Sequence, residues 1–242
     1  MSQVCHDIDF EIMGSDMQMV EITLDPGESV IAEAGVLNYM DEGVLFESRL
    51  SDGAETNPGL MGTLASIGTR MVTGESLFIT QFTNQVNVPR KVAFAAAYPG
   101  KIVGLDMAKI GGSLVCQKRS FLCAALGTSV KLEFQKKFGA GLFGGEGFIL
   151  QRVEGDGMAF VHAGGHIVKK TLNGGSLLVD TGCLVGYTQG IDFDIQTSGG
   201  LKSMAFGKEG LFLARLSGHG VVLVQSAPLS RLASCFVTNT AN

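Results

Sequence analysis

Tryptophan is missing from this chain, tyrosine occurs only three times, and charged residues make up 17% of it. The shortage of aromatics leaves a stacking platform for sugars poorly supplied. Basic clusters are missing too: "QKKF" and "QKR" are the densest, and the formal net charge is −5. A nucleic-acid binder needs a basic stripe as its electrostatic footprint, so general nucleic-acid binding is not expected. No apolar run exceeds "VAFAAAY" in length, far below the ~18 residues of a membrane span. The N-terminus "MSQVCHDIDFEI" reads as neither a signal peptide nor an Arg-rich transit peptide. The five cysteines (Cys5, Cys116, Cys123, Cys183, Cys235) are odd in number and include no Cys-x-x-Cys pair. Most sit in apolar runs, as buried free thiols do, so a soluble chain in the reduced cytoplasm is expected. There is no Pro/Ser/Gly linker and no low-complexity run.

What is present is 45% hydrophobic residues and 34 glycines, about double the usual ~7% glycine share. That mixture suits many short strands joined by tight turns. It resolves into an internal repeat. "PGESVIAEAGVLNYMDEGVLFES", "GGSLVCQKRSFLCAALGTSVKLEF" and "GGSLLVDTGCLVGYTQGIDFDIQ" align on Ser29, Ser113 and Ser176, and each serine is followed 14 residues later by Gly43, Gly127 or Gly190. A second block, "TGESLFITQF", "GGEGFILQRVEGDGMAFV" and "GKEGLFLARLSGHGVVLV", carries Glu75, Glu146 and Glu209. Copies two and three match at a constant offset of 63, whereas copy one carries an insertion around Glu75 that spaces Ser29 from Ser113 by 84. The chain therefore reads as one all-β domain of three repeats, about 17–98, 101–165 and 166–228, with a tail at 229–242.

Gly-Gly, Gly-Asp-Gly and Pro-Gly pairs mark hairpins between the strands. One short helix is expected in the copy-one insertion, where Leu60, Leu64, Ile67 and Met71 form a stripe in "PGLMGTLASIGTRMVTG". "PLSRLASCFVTNTAN" has no strand character and reads as a tail, leaving copy three short of a final strand. "MQMVEITL" (17–24) is an extra strand before copy one, expected to close a ring against copy three and remove an open edge.

The motifs "GSDMQMVEI", "DPGESVIAEAG", "TGESLF", "VAFAAAYPGKI", "GAGLFGGEGF", "VHAGG" and "VQSAPLSRLA" resemble a bacterial and archaeal family of unknown function. Its mitochondrial relatives are the altered-inheritance-of-mitochondria, or mitochondrial biogenesis, proteins. The resemblance runs from about Phe10 to Leu232. It implies a three-repeat barrel, a short double-stranded β-helix variant similar to the tryptophan RNA-binding attenuation protein, often oligomeric. It implies no catalytic residue, cofactor or substrate. The RNA and tryptophan binding of that namesake are not implied, because fold does not carry function.

The chemistry-bearing candidates are few. "FGAGLFGGEG" contains Gly139, Gly141 and Gly144 in Gly-x-Gly-x-x-Gly spacing. A dinucleotide loop must open a helix and be followed ~20 residues on by an acid; strand-like sequence and Gly164–Gly165 stand there instead, so no cofactor is expected. Glu75, Glu146 and Glu209 each open a strand. They are turn carboxylates paired with residues such as Arg152 and Arg215 on the same strand face, or three carboxylates converging on a cation. His162 and His166 flank "AGG" as a surface hairpin pair, short of the three or four ligands zinc needs. No Gly-x-Ser-x-Gly elbow occurs. The copy-one helix lacks the basic face of a membrane-docking helix. The expected function is a non-enzymatic binding or scaffold protein of this family, assembled as a homo-oligomer. The alternative is a small-ligand or metal-binding module, or an unrecognised hydrolase, using the repeat glutamates.

Overall fold

In "MVEITL" apolar and polar residues alternate, and in the computed structural model Val20, Ile22 and Leu24 of this strand are fully buried while the residues between them are half-exposed. That period-two pattern drives the whole molecule. The structure describes residues 4–50, 78–136, 147–198 and 211–237. Over these it is all-β, with one short α-helix among the described residues. The predicted helix over the 58–74 stretch lies outside them.

Three sheets follow one another. The first has the order β1 (Asp9–Met13), β2 (Met19–Leu24), β7 (Arg90–Ala95), β4 (Leu37–Met40). The second runs β5 (Val44–Leu50), β6 (Phe78–Asn84), β3 (Ser29–Glu33), β10 (Phe121–Ala125), β13 (Met158–Gly164), β8 (Gly100–Asp106). The third runs β11 (Ser129–Lys136), β12 (Phe148–Glu154), β9 (Ser113–Gln117), β15 (Leu184–Thr188), β17 (Leu211–Gln225), β14 (Ile167–Asp180), with β16 (Ile191–Ser198) also paired to β17. Every strand pair between these elements is antiparallel.

The apolar residues form three core clusters. Val20, Ile22 and Phe94 of the first sheet pack with Val30, Leu122 and Phe160 of the second. Ile31, Ala124 and Val161 of the second pack with Leu114, Cys116 and Val153 of the third. The last cluster lies within the third sheet, where Val115, Leu150 and Tyr187 meet Val179, Ala214 and Leu216. Strands β9 and β10 are buried along their whole length, which is why "SLVCQ" and "FLCAA" read as nearly continuous apolar runs.

Four sequence expectations are corrected. Strand β2 does not reach copy three; it lies between β1 and β7. A partner six residues away costs far less loop-closure entropy than one at the far end of the chain. The Pro26-Gly27, Gly111-Gly112 and Gly155-Asp156-Gly157 turns are not hairpins, because the strands they join lie in different sheets. They are corners. Asp156 turns its carboxylate onto the N–H groups of Val4 and Cys5 at 2.8 Å, tying the N-terminal segment down, and those bonds hold its pKa below the usual value. Copy three does not lack a final strand: β17 continues through Gly218 and Gly220 to Gln225, pairing with both β14 and β15. Finally, "LSRLASCFV" is the helix α1 (Leu229–Val237). Pro228 stands just before it, and its carbonyl accepts from the Arg231 N–H at 3.0 Å. No helix among the described residues is long and apolar enough to cross a membrane.

Candidate functional site

Glu75, Glu146 and Glu209, and the Gly139–Gly144 loop, lie outside the described residues. Arg152, from β12, is described. Its guanidinium grips the carboxylate of Glu133 on β11 through Nε at 2.8 Å and Nη2 at 2.6 Å, and donates to the Ser113 hydroxyl at 3.3 Å. This two-pronged contact holds the Glu133 carboxyl below its usual range and raises the arginine. This partner sits on the neighbouring strand, and the pairing expected with Glu146 lies outside the described residues. Sequence reasoning missed Glu133 because cross-strand register, not spacing along the chain, sets the pair. Arg215 lies exposed on β17, opposite Leu178 of β14 and Asp194 of β16.

The two histidines do not form a surface pair. His166 is exposed, whereas His162 on β13 is 1% exposed and stands edge-on to the Tyr98 ring, centroids 4.6 Å apart. The residues between them break the alternation at a corner, so the two side chains separate. Burial pushes the His162 pKa down to about 4, partly opposed by a hydrogen bond with the Tyr98 backbone. Cys116 is pushed up to about 12 by burial and the nearby Glu33 carboxylate, and burial raises Cys123 as well. Both thiols stay protonated at neutral pH, the wrong state for a nucleophile. Among the described residues no group of three or more His, Cys, Asp and Glu gathers to hold a metal ion.

Two strand edges stand out in the sheet order. Strand β4 is paired with β7 on one side, and no other strand among the described residues pairs with it. The second edge is the C-terminal part of β14, Ser176–Asp180, paired with β17 on one side alone among the described residues. Burial at aligned positions makes both edges conspicuous. Leu37 is 41% exposed, while its counterparts Phe121 and Leu184 are 2% and 0% exposed. Leu178 is 53% exposed, while its counterparts Ile31 and Val115 are 7% and 3%. The chemistry is the same and the surroundings differ: Ile31 and Val115 sit on strands flanked on both sides, by β10 and β15 respectively.

Each edge is held in shape. Tyr39 of β4 donates its hydroxyl to Glu21, which also receives Lys91; these bonds lower the Glu21 pKa, the lysine contributing most. The chain of contacts links β4 through β7 to β2. At the other edge Asp180 ends β14, accepts the Gly182 N–H at 2.8 Å, and receives Arg231 of α1 at 3.0 Å. The helix is thereby anchored beside the edge with Leu232 39% exposed. Gln225 secures the same turn from inside, accepting from the Gly164 N–H at 2.7 Å and donating to the Gly182 carbonyl at 2.8 Å. Gln117 donates to the neighbouring Thr181 carbonyl at 2.5 Å. These edges can extend a sheet: they offer backbone groups, apolar side chains and fixed geometry.

Known proteins agree with this architecture. The chain is 32% identical over 216 residues to an uncharacterized protein of Streptococcus pyogenes serotype M6, covering 89% of this chain and 84% of that one. A crystal structure of a Streptococcus pyogenes protein superposes with a TM-score of 0.76 at 29% identity, over 96% of this chain and 99% of the other. Residues 10–227 match the family described as mitochondrial biogenesis AIM24, and the chain belongs to that family.

Proposed function

We propose that this protein is a non-enzymatic binding or scaffold protein that works as a homo-oligomer. Its chain is read as one domain of three six-stranded units, about 17–98, 101–165 and 166–228, in a short double-stranded β-helix arrangement similar to the tryptophan RNA-binding attenuation protein. Repetition in the strand pairing supports this. In the first unit β2 and β4 flank β7, and β3 and β5 flank β6. In the second, β8 and β10 flank β13, and β9 and β11 flank β12. In the third, the two halves of β14 and of β17, with β15 and β16, take the same places. Even the irregularity recurs, at Leu37/Tyr39, Phe121/Cys123 and Leu184/Gly186.

The single observation that carries the oligomeric reading is the pair of apolar edges left at the two ends of this array. A repeat array needs its ends capped or joined. The acidic balance of −5 gives no basic surface for RNA. Cys5, Cys116, Cys123 and Cys183 are buried thiols, which suits a reducing cytoplasm. Light scattering on the purified chain at micromolar concentration tests the reading. A mass of several chains is expected, and a strict monomer would overturn it.

A further inference from the structure

Resting on that oligomeric reading, we infer that copies of this chain join head to tail: the edge of β4 in one copy pairs antiparallel with Ser176–Asp180 of β14 in the next. The same joint exists twice inside the chain. Strand β3 pairs with β10 in the register Ala32↔Cys123, Ile31↔Ala124, Val30↔Ala125. Strand β9 pairs with β15 in the register Cys116↔Gly186, Val115↔Tyr187, Leu114↔Thr188. The repeat spacings of 84 and 63 map one set onto the other pair by pair. Carried one step further, the third joint is Val179↔Tyr39, Leu178↔Met40 and Leu177↔Asp41.

The sheets themselves have the matching gap. The second sheet is three strands of one unit (β5-β6-β3) continued by three of the next (β10-β13-β8). The third begins in the same way, β11-β12-β9 followed by β15, the C-terminal half of β17 and the N-terminal half of β14. That leaves β4-β7-β2, with β1 added beyond β2, at one end of the chain, and β16 with the remaining halves of β17 and β14 at the other, as two unmatched halves. Joining them between copies completes a sheet of the same order and buries Leu37 and Leu178, as Phe121, Leu184, Ile31 and Val115 already are. The two halves are different surfaces, so the contact is heterologous rather than a two-fold pairing of one edge with itself.

Disulfide trapping tests the polarity and the register. Directly opposed residues of an antiparallel pair lie ~4.5–5.5 Å apart between Cα atoms, within the reach of a disulfide. In a Cys235→Ser background, Met40→Cys and Leu178→Cys chains carrying tags of different length are co-expressed and mildly oxidised. The expected result is a mixed-tag dimer on a non-reducing gel, absent when either variant is expressed alone, and a ladder of covalent multimers from the chain carrying both. Self-linked dimers of Met40→Cys alone would overturn the proposal in favour of a two-fold contact. An oligomer by light scattering with no mixed dimer would overturn the joint while leaving the oligomeric reading intact; a monomer would remove both. Leu178→Lys supplies a second measurement: it is expected to reduce the mass to one chain while leaving the β circular dichroism signal unchanged, and an undiminished mass would overturn the proposal.

Discussion

Acidification should destabilise this protein through His162 before its carboxylates titrate. The ring is 1% exposed, faces Tyr98, and has its pKa depressed from 6.5 to about 4 by burial. Well above pH 6.5 the histidine is neutral in both folded and unfolded chains and has no effect on the balance. Between pH 6.5 and 4 the unfolded chain takes up the proton and the folded chain refuses it, so stability falls as pH falls. The full difference amounts to about 3 kcal/mol, of which about 2 kcal/mol is lost by pH 5. Urea denaturation at pH 7.5 and pH 5.0, at one fixed protein concentration, measures the loss. His162→Gln lacks the titrating group, and its loss between the two pH values should be smaller than that of the natural chain by about 2 kcal/mol. Equal losses in the two proteins, or a His162 resonance titrating near 6.5 in NMR, would refute the reasoning.

Other perturbations probe the frame. Gly100→Ala puts a Cβ 2.1 Å from the Ala163 carbonyl and 2.5 Å from the His162 ring; the repacking should cost about 2–4 kcal/mol, read as a lowered urea midpoint. Gln225→Ala strands the buried Gly164 N–H and Gly182 C=O, and should cost about 2–4 kcal/mol by the same measurement. The Arg152–Glu133 pair has both side chains one-third exposed, so a double-mutant cycle with Arg152→Ala and Glu133→Ala should give a coupling of only about 1 kcal/mol. Because the Glu133 pKa is lowered, that coupling should be present at neutral pH and fade as the pH drops through the carboxylate range.

Much of the fold was legible because repetition and alternation are properties of the chain itself. Ser29 and Ser113 begin β3 and β9, Ser176 resumes the pairing of β14 after its register shift, and Gly43, Gly127 and Gly190 all adopt positive φ (97°, 102° and 89°) at the turns that follow β4, β10 and β15. A residue with a Cβ is strained in that conformation, so glycine marks the turn in sequence. Glycine pairs were less informative, since a sharp corner between sheets and a hairpin within one make the same demand on the backbone. The partner of Arg152 was not legible, because register between strands depends on which edges meet.

All-β character and the set of apolar positions follow from the sequence alone, since they rest on side-chain type and spacing. Which of those apolar positions are core was decided only by tertiary structure. Leu37 reads like Phe121 and Leu184, and Leu178 reads like Ile31 and Val115, yet only the members flanked by a neighbouring strand are buried. Burial belongs to the strand alongside, and for β4 and Ser176–Asp180 of β14 no second strand among the described residues of this chain supplies it.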